Sequence, residues 1–362
     1  MSGQKPEQTK AENKPTKLVL TKVGAQMANS GQEKPKIRKK GLKIFWGILL
    51  ALILVLAVLN AIPPKKAIEQ NPFIKEEGAL PMIAAHRGGG ISNPENTLKA
   101  FRTAVNEYGI QICETDLWMT GDGHLVYSHD STVNRMACLE GSEKVTIGEH
   151  TLAELKTYNM AYNFADPESG AFIYRNASEE EQLSEGLKIM EFDELLEEFY
   201  DTRKDLLFIV EIKNGGETGF KAAEIIDKTL TERFPDYKNN MVIGTFHPEI
   251  EEDLRTNHPT LLRGASTAGA ARFVLTQMLG VNLFFDADFA CLQIPMEYEF
   301  KGIDLDLTWK TYIQRAHKRN IAVQYWTIND EKDMRFLIER NVDAIMTDDP
   351  QLLKRVLEEY MK

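Results

Sequence analysis

Apolar runs of strand length alternate with amphipathic segments over the C-terminal three quarters of the chain. Eight runs are rich in Val, Ile, Leu and Ala, and helical periodicity follows most of them. Because strands that alternate with helices form parallel sheets, the pattern predicts an α/β fold, a (β/α)₈ TIM barrel. A doubly wound open sheet is the alternative, although no Gly-x-Gly-x-x-Gly follows the first run. The predicted strands are 82–86, 110–117, 206–212, 241–246, 261–265, 289–294, 321–326 and 344–347, and the predicted helices include 96–108, 220–233, 249–257, 307–319 and 331–340.

One predicted strand is followed by a hairpin signal. Asp122-Gly123 is a dipeptide typical of two-residue hairpin loops, so we expect 124–129 to run antiparallel to the strand at 110–117. With this turn, Asp116 would lie directly opposite His129. The hairpin would then bring a carboxylate and an imidazole within reach of each other.

The longest gap between predicted strands is an insertion at about 131–205. A capping box at 151–154 predicts a helix to about residue 158, and 193–200 predicts another helix. Residues 163–186 are polar and are expected to be irregular. In a barrel we expect this insertion to lie over the catalytic rim and to shape the substrate pocket.

A run of 19 uncharged residues, 44–62, would span about 28 Å as a helix, close to one hydrocarbon core. A buried helix would not be apolar on all sides, and a cleaved signal peptide has a shorter basic leader, so we favour a membrane anchor. The positive-inside rule places the N-terminus in the cytoplasm and the catalytic domain outside the cell. We therefore expect a single-pass protein of the cell membrane: a disordered basic tail (1–43), a transmembrane helix (44–62), a linker (63–79) and a catalytic domain (80–362).

The charge distribution argues against nucleic acid as a partner. The chain carries −11, and the tail at 1–43 carries +8, which leaves −19 for residues 44–362. Binding of nucleic acid requires a positive surface. The three cysteines show neither metal-ligand nor disulfide spacing, so we expect them to be small buried residues.

The first predicted strand ends in His86 and Arg87, and three glycines follow at 88–90. Glycines let backbone amides approach an anion, Arg87 offers a planar fork of donors for phosphate, and His86 can transfer a proton near neutral pH. One interpretation is a phosphate site. The other is a Gly-rich loop with a surface arginine and a structural histidine.

Pairs of charged residues occupy the ends of two further strands. Glu114 and Asp116 are two apart and point to the same side of one strand, and Glu211 and Lys213 repeat this spacing on another. Charges on an inward face are costly unless they are paired or bind a cation. The hard carboxylate oxygens suit Ca²⁺ or Mg²⁺ better than zinc. Surface ion pairs are the alternative.

Two histidines follow strand-like runs, His86 and His129. Cleavage of a phosphodiester needs one group to activate the nucleophile and another to protonate the leaving alkoxide. Histidines on opposite sides of the phosphate would serve, while Arg87, Lys213 and a cation would neutralise charge on the phosphate oxygens. A structural role is the alternative for either histidine alone.

Taken together, these motifs resemble those of the glycerophosphodiester phosphodiesterases. The resemblance extends from about residue 82 to 353, and its order and spacing are specific. The matching segments are His86-Arg87-Gly88, Pro94-Glu95-Asn96-Thr97, Glu114-Thr115-Asp116, Asp122-Gly123, His129-Asp130, Asn134-Arg135, Leu152-Ala153-Glu154-Leu155, Glu211-Ile212-Lys213, Trp326-Thr327-Ile328-Asn329 and Thr347-Asp348.

The resemblance implies a phospholipase-C-like TIM barrel that hydrolyses glycerophosphodiesters to glycerol 3-phosphate and an alcohol, through a cyclic phosphate formed by a neighbouring glycerol hydroxyl. It assigns one divalent cation to the carboxylates and a pocket-lining role to Trp326. The implied site comprises the acid/base pair His86 and His129, the phosphate ligands Arg87 and Lys213, and the metal ligands Glu114, Asp116 and Glu211.

Two features depart from the family pattern and leave the substrate open. The loop at 245–248 reads Thr-Phe-His-Pro, where His247 either contacts substrate or caps the loop, and the insertion at 159–186 has no counterpart in the motifs. The substrate could be a small diester or a lipid, which makes a lysophospholipase D or a hydrolase of a glycerol-phosphate polymer at the membrane an alternative. A catalytically inactive binding module is a third hypothesis.

Overall fold

The computed structural model of the protein describes residues 39–137, 141, 143–300 and 302–361. Helix α1 (Lys39–Ala61) begins in a first compact unit that ends at Ile53, and its last two turns belong to the second unit. The segment Gly41–Ala61, of mean hydropathy 2.8, is long and apolar enough to cross a membrane, by length and composition only. The tail predicted to be disordered lies, up to residue 38, outside the described residues.

Eight parallel strands of the second unit form a nearly closed barrel. The strands of the chain are β1 (Met82–His86), β2 (Ile112–Met119), β3 (Leu125–Tyr127), β4 (Leu207–Ile212), β5 (Met241–Gly244), β6 (Leu262–Arg263), β7 (Cys291–Ile294), β8 (Glu297–Phe300), β9 (Ile303–Asp306), β10 (Ala322–Tyr325) and β11 (Ala344–Thr347). The order around the barrel is β6-β5-β4-β2-β1-β11-β10-β7. A parallel bridge between Gly264 and Cys291 joins the two ends, so the TIM barrel is confirmed over the open sheet.

Helices follow most barrel strands, and all five of the predicted barrel helices are present, four with shifted ends and 331–340 with the predicted ends. The helices after α1 are α2 (Leu98–Thr103), α3 (Leu152–Leu155), α4 (Glu179–Glu185), α5 (Phe192–Tyr200), α6 (Gly216–Glu232), α7 (Pro248–Asn257), α8 (Thr267–Met278), α9 (Lys310–His317), α10 (Glu331–Arg340) and α11 (Pro350–Tyr360). In α6, Ala222, Ala223, Ile226 and Leu230 are buried, which is the three-to-four spacing of a helix packed on a sheet.

The hairpin formed by β2 and β3 has a register one residue away from the prediction. Asp116 lies opposite Ser128, whose amide donates to the Asp116 carbonyl at 3.0 Å, so the expected pairing with His129 is wrong. The reason is a loop of three residues, 121–123, in place of two. Gly123 takes a φ of +89°, as the last residue of such loops commonly does.

The insertion at 131–205 contains more helix than its sequence suggested. The expectation of an irregular segment at 163–186 is wrong for α4, which begins at a capping box between Ser178 and Glu181. The predicted helix at 151–158 is confirmed but shorter, and its capping box at Thr151 is present. Much of the insertion is packed around its own apolar cluster against β3, which includes Val126, Ile147 and Ile189.

Candidate active site

The register of the barrel strands brings the predicted charged residues together. His86 at the end of β1 pairs with Glu114 of β2, and Asp116 of β2 pairs with Glu211 of β4. Neighbouring residues on parallel strands point to the same side of the sheet. The C-terminal ends of β1, β2 and β4 therefore present one imidazole and three carboxylates to the same rim, where barrel enzymes carry their active sites.

A single cavity of about 700 Å³ collects the whole predicted set. Trp326, which follows β10, stands on its wall and is 38% exposed. The members of the predicted site that line the cavity are His86, Arg87, Glu114, Asp116, His129, Glu211, Lys213 and Trp326.

His86 is held between two carboxylates. Its Nδ1 lies 2.6 Å from Oδ1 of Asp348, and its Nε2 lies 3.8 Å from Oε2 of Glu114. Burial disfavours the charged imidazolium, but Glu114 and Asp348 outweigh this effect, so the pKa of His86 is raised. Because Nδ1 faces Asp348, Nε2 is the nitrogen that points towards the carboxylates of the site and can exchange a proton there.

Arg87 and Asp116 face each other, and each has a buried side-chain atom that makes no hydrogen bond. The distance from Arg87 Nε to Asp116 Oδ2 is 3.6 Å, and both atoms are buried without a hydrogen-bond partner. The backbone amide of Arg87 donates to Glu114 Oε2 at 3.0 Å. Since buried polar atoms are normally satisfied, this pair is poised for a group from outside the chain.

Lys213 lies between two of the three carboxylates. Its Nζ is 2.9 Å from Asp116 Oδ1 and 2.9 Å from Glu211 Oε2. Burial opposes the ammonium charge, but these two carboxylates outweigh it and raise the pKa of Lys213. Lys213 therefore stays a cation beside the position where a phosphate would bind.

The carboxylates are chemically suited to a divalent cation. Burial, together with the charge of Asp116, raises the pKa of Glu114 to about 7, and burial also raises the pKa of Glu211. Both shifts mean that burial opposes ionisation of these carboxylates, which a bound cation would favour, and Asp116 Oδ2 is buried without a hydrogen-bond partner. Among the described residues, however, no three His, Cys, Asp or Glu side chains are arranged as a metal site. The ammonium group of Lys213 contacts both Asp116 and Glu211.

A chain of charged contacts connects the two histidine loops. Asp130 lies 3.0 Å from His129 Nδ1 and 2.6 Å from Arg135 Nε. Arg135 also donates to Glu95 at 2.5 Å, and Glu95 lies 3.4 Å from Arg87. Each of the two predicted proton carriers thus has its own carboxylate, Asp348 for His86 and Asp130 for His129.

Several of these supporting residues had no role in the sequence interpretation. Glu95, Asp130, Arg135 and Asp348 stand in segments that match the family motifs, but motif position alone did not indicate what they contact. Asn329 belongs with them, since its amide donates to Asp348 Oδ2 at 2.7 Å. One signal was in the sequence itself, because Asp130 directly follows His129. The other was that Asp348 follows β11, the strand that pairs with β1, which ends in His86.

The glycines after Arg87 are needed for packing. Gly88 and Gly89 have φ of +82° and +92°. A Cβ on Gly88 would come within 2.8 Å of Ala100 Cβ, and one on Gly89 within 2.7 Å of the Pro350 ring. Residues 88–90 are not among those that line the cavity, so the expectation that they cradle the phosphate is not met.

Two other loops differ in their relation to the cavity. His247 precedes α7 at its N-cap, and its Nε2 lies 3.0 Å from the carbonyl oxygen of Lys213, which agrees with a loop-capping role. Of the described residues in 131–205, none lines the cavity, so the expectation that the insertion shapes the pocket is wrong. Its cluster packs on β3 instead. Cys113 and Cys291 are buried thiols, and Cys138 lies outside the described residues.

Comparison with known proteins agrees with this geometry. The model of the glycerophosphoryl diester phosphodiesterase family matches residues 86–352. A glycerophosphodiester phosphodiesterase of Caldanaerobacter subterraneus is 27% identical over 272 residues, which cover 75% of this chain and 96% of the relative. A glycerophosphodiester phosphodiesterase of Bacillus subtilis is 25% identical over 325 residues, covering 86% of this chain and 98% of the relative.

Solved structures show the same fold. The glycerophosphoryl diester phosphodiesterase domain of a Mycobacterium tuberculosis protein superposes with a TM-score of 0.61 at 16% identity, covering 76% of this chain and 99% of that one. An Oleispira antarctica phosphodiesterase in complex with its product sn-glycerol-3-phosphate gives 0.55 at 21% identity, covering 77% and 97%. The family match spans well over half of the chain, so this protein belongs to the glycerophosphoryl diester phosphodiesterase family of phosphoric diester hydrolases.

Proposed function

We propose that this chain hydrolyses glycerophosphodiesters to glycerol 3-phosphate and an alcohol by acid/base catalysis with His86 and His129 at a divalent cation. One observation carries the proposal: both histidines line the same cavity as three carboxylates, Arg87 and Lys213. A catalytically inactive module would have no need to retain two histidines that are each oriented by a carboxylate.

The two histidines would move the protons of the reaction. His86 is fixed by Asp348, so its Nε2 is available to take or give a proton at a phosphate oxygen. His129 is oriented through Nδ1 by Asp130, which directs its other nitrogen away from that carboxylate. The cyclic phosphate implied by the family resemblance requires one such group to deprotonate a glycerol hydroxyl and another to protonate the leaving alcohol.

Arg87 and Lys213 would hold the phosphate. The unpartnered Nε of Arg87 and the cationic Nζ of Lys213 both lie next to Asp116. They can neutralise the non-bridging oxygens and orient the diester between the two histidines. Trp326 on the cavity wall supplies an apolar surface for the part of the substrate that does not react.

Glu114, Asp116 and Glu211 would hold the cation, either Ca²⁺ or Mg²⁺, with oxygen ligands only. When bound, it supplies Lewis-acid neutralisation of charge on the phosphate. Its binding requires all three carboxylates to be ionised, and burial with like charge at present opposes this for Glu114. Lys213, which contacts Asp116 and Glu211, would supply a further positive charge for the phosphate.

We further propose that α1 anchors the protein in the cell membrane, with residues 1–43 in the cytoplasm and the barrel outside. The support is an apolar segment of sufficient length, Gly41–Ala61, and the +8 charge of residues 1–43. Retention of the full chain in a membrane pellet washed with carbonate tests this, since a cleaved signal would leave the barrel in the supernatant.

A product assay tests the proposed reaction. The purified protein is incubated with glycerophosphocholine in Ca²⁺ or Mg²⁺, and the products are identified by mass spectrometry. The proposal expects glycerol 3-phosphate and choline in equal amounts. Release of phosphocholine and glycerol, or no release from any glycerophosphodiester tested, would contradict it.

A further inference from the structure

Much of the cavity wall is apolar and lies across the barrel from the charged residues. In the barrel order, β6 and β7 stand opposite β1 and β2. The segments that follow β6 and β7 contribute the apolar side of the cavity, which we call the apolar arm. It consists of Ala270, Val274 and Leu275 of α8 with Tyr298, Leu305 and Leu307 of the segment after β7.

The apolar arm is longer than a small diester requires. Residues of α8 from Thr267 to Leu275 line the cavity, which is about two helical turns or roughly 12 Å. A water-soluble diester such as glycerophosphocholine would occupy the charged end and leave this wall in contact with water. Apolar surface that is covered only by water favours binding of an apolar group.

The outer surface beside the arm is also apolar. Leu275 lines the cavity and is 55% exposed, so the arm opens to the outside along α8. Met278 and Leu279 continue the same helical face and are 56% and 68% exposed. Arg272 is the one ionisable residue between positions 264 and 285. Such a face resembles helices that lie at a lipid interface rather than the polar outer helices of a soluble barrel.

The end of α8 is attached to the end of α1. Asn60 Nδ2 donates to the Gly280 carbonyl at 3.0 Å, and Arg315 donates to Asn60 Oδ1 at 3.1 Å. Arg315 also donates to the Gln277 carbonyl at 3.0 Å. These bonds connect the C-terminal end of α8 to the last turn of α1, both within the second unit.

We propose that the apolar arm binds the acyl chain of a lysoglycerophospholipid that enters from the bilayer beside α1. The glycerol phosphate would lie at the histidines and the chain along α8. Water would add across the bond between phosphorus and the head-alcohol oxygen. The alcohol leaves with a proton, and the phosphate stays on the acylglycerol as a monoester. This substrate class rests on the proposed phosphodiesterase activity and on the proposed anchor.

The test measures how kcat/KM depends on chain length. The full-length protein in nanodiscs of diacylphosphatidylglycerol is given glycerophosphocholine and then hexanoyl, octanoyl and decanoyl lysophosphatidylcholine below their micelle concentrations, and choline release is followed. Each buried methylene can strengthen binding by up to roughly fourfold. We expect kcat/KM to rise by about tenfold or more from the hexanoyl to the decanoyl substrate.

Variants separate binding in the arm from partition into the nanodisc. Leu275→Gln, and independently Ala271→Gln, place a polar side chain in the cavity wall and should reduce the increase of kcat/KM with chain length. The control is Leu183→Gln in α4, a residue that is 62% exposed and does not line the cavity, and this variant should keep the increase. Equal kcat/KM for all chain lengths, or an unchanged rise in both cavity variants, would overturn the inference. In that case cleavage of glycerophosphocholine would still support the proposed function, and loss of all choline release would overturn both.

Discussion

The imidazole Nδ1 of His86 and the carboxylate of Asp348 lie 2.6 Å apart, although 262 positions separate them in the chain. Strand β1 pairs with β11, and this pairing brings the two residues to the same end of the barrel. Asp348 is in turn held by Asn329 at 2.7 Å. A carboxylate on one ring nitrogen fixes the tautomer and the orientation of a histidine that transfers protons with the other nitrogen.

Replacement of this carboxylate should slow the reaction and shift its pH profile. We expect Asp348→Asn to lower kcat/KM by roughly a hundredfold. Burial lowers the pKa of His86, while Glu114 and Asp348 raise it, and the net effect is an increase. Loss of the Asp348 charge should therefore lower the pKa of His86. The alkaline limb that reports a protonated His86 would then move to lower pH. The matched control is Asp349→Asn, which removes a neighbouring carboxylate charge but keeps a side-chain oxygen at the N-cap of α11, and it should not move that limb.

The charged chain from Arg87 to His129 predicts an effect of Arg135. Its guanidinium joins Glu95 to Asp130, so Arg135→Gln should release the carboxylate that orients His129. We expect kcat/KM to fall about tenfold, with little change in the concentration of urea at the unfolding midpoint. Arg102→Gln breaks a comparable pair with Glu198 outside the cavity and should leave kcat/KM unchanged. Equal losses in the two variants would argue against the positioning role.

The contacts of Asp227 with His258 and Lys238, away from the cavity, predict that part of the free energy of unfolding depends on pH. Asp227 lies 2.8 Å from His258 and 2.9 Å from Lys238. Burial raises its pKa, but the contacts with His258 and Lys238 outweigh burial and lower the pKa overall. A carboxylate with a lowered pKa stabilises the fold above its unfolded pKa of about 3.9, and this contribution is lost as the pH falls through the folded pKa.

Asp227→Asn should therefore lower the free energy of unfolding by about 1 kcal/mol at pH 7 and by less at about pH 3, below the unfolded pKa of about 3.9. Urea unfolding at the two pH values measures the difference. Glu224→Gln changes an exposed carboxylate of the same helix and should have a small effect at both. A difference for Asp227→Asn that does not shrink on acidification would contradict the assignment of the stabilisation to these ion pairs.

If α1 anchors the protein, the barrel should be recovered in the membrane fraction of broken cells. The full chain should sediment with membranes and resist extraction by carbonate, because a single apolar helix of this length partitions strongly into lipid. Protease added to intact cells should cut the segment after Pro64 and release the barrel. A barrel that is protected from external protease would contradict the proposed orientation.

Sequence patterns were sufficient to predict the barrel and to select charged residues that line one cavity. The structure has a strand at each of the eight predicted segments. Strands that are buried on both faces are nearly continuous apolar runs, which are easy to recognise in a sequence. Glu211 and Asp116 could be expected to meet because parallel strands end at the same rim. The positions of charged residues at the ends of predicted strands were therefore enough to predict that these side chains lie close together.

The remaining features depend on contacts that a linear pattern does not encode. The hairpin register changed by one residue because Gly123 closes a three-residue loop, and Asp-Gly occurs in both loop lengths. Helix α8 was not predicted, since its exposed face is as apolar as its buried one and gives no amphipathic signal. Lys213 was expected near phosphate, but its position between Asp116 and Glu211 follows only from side-chain packing.

Glycerol 3-phosphate release from glycerophosphocholine, measured before and after chelation, tests both the metal dependence and the histidine roles. We predict that EDTA abolishes release by the wild-type protein and that Ca²⁺ or Mg²⁺ restores it. We also predict that His86→Ala and His129→Ala each lower the restored rate by a hundredfold or more, as loss of a general acid or base would. A rate that survives EDTA, or histidine variants that retain the full metal-dependent rate, would contradict the proposed mechanism.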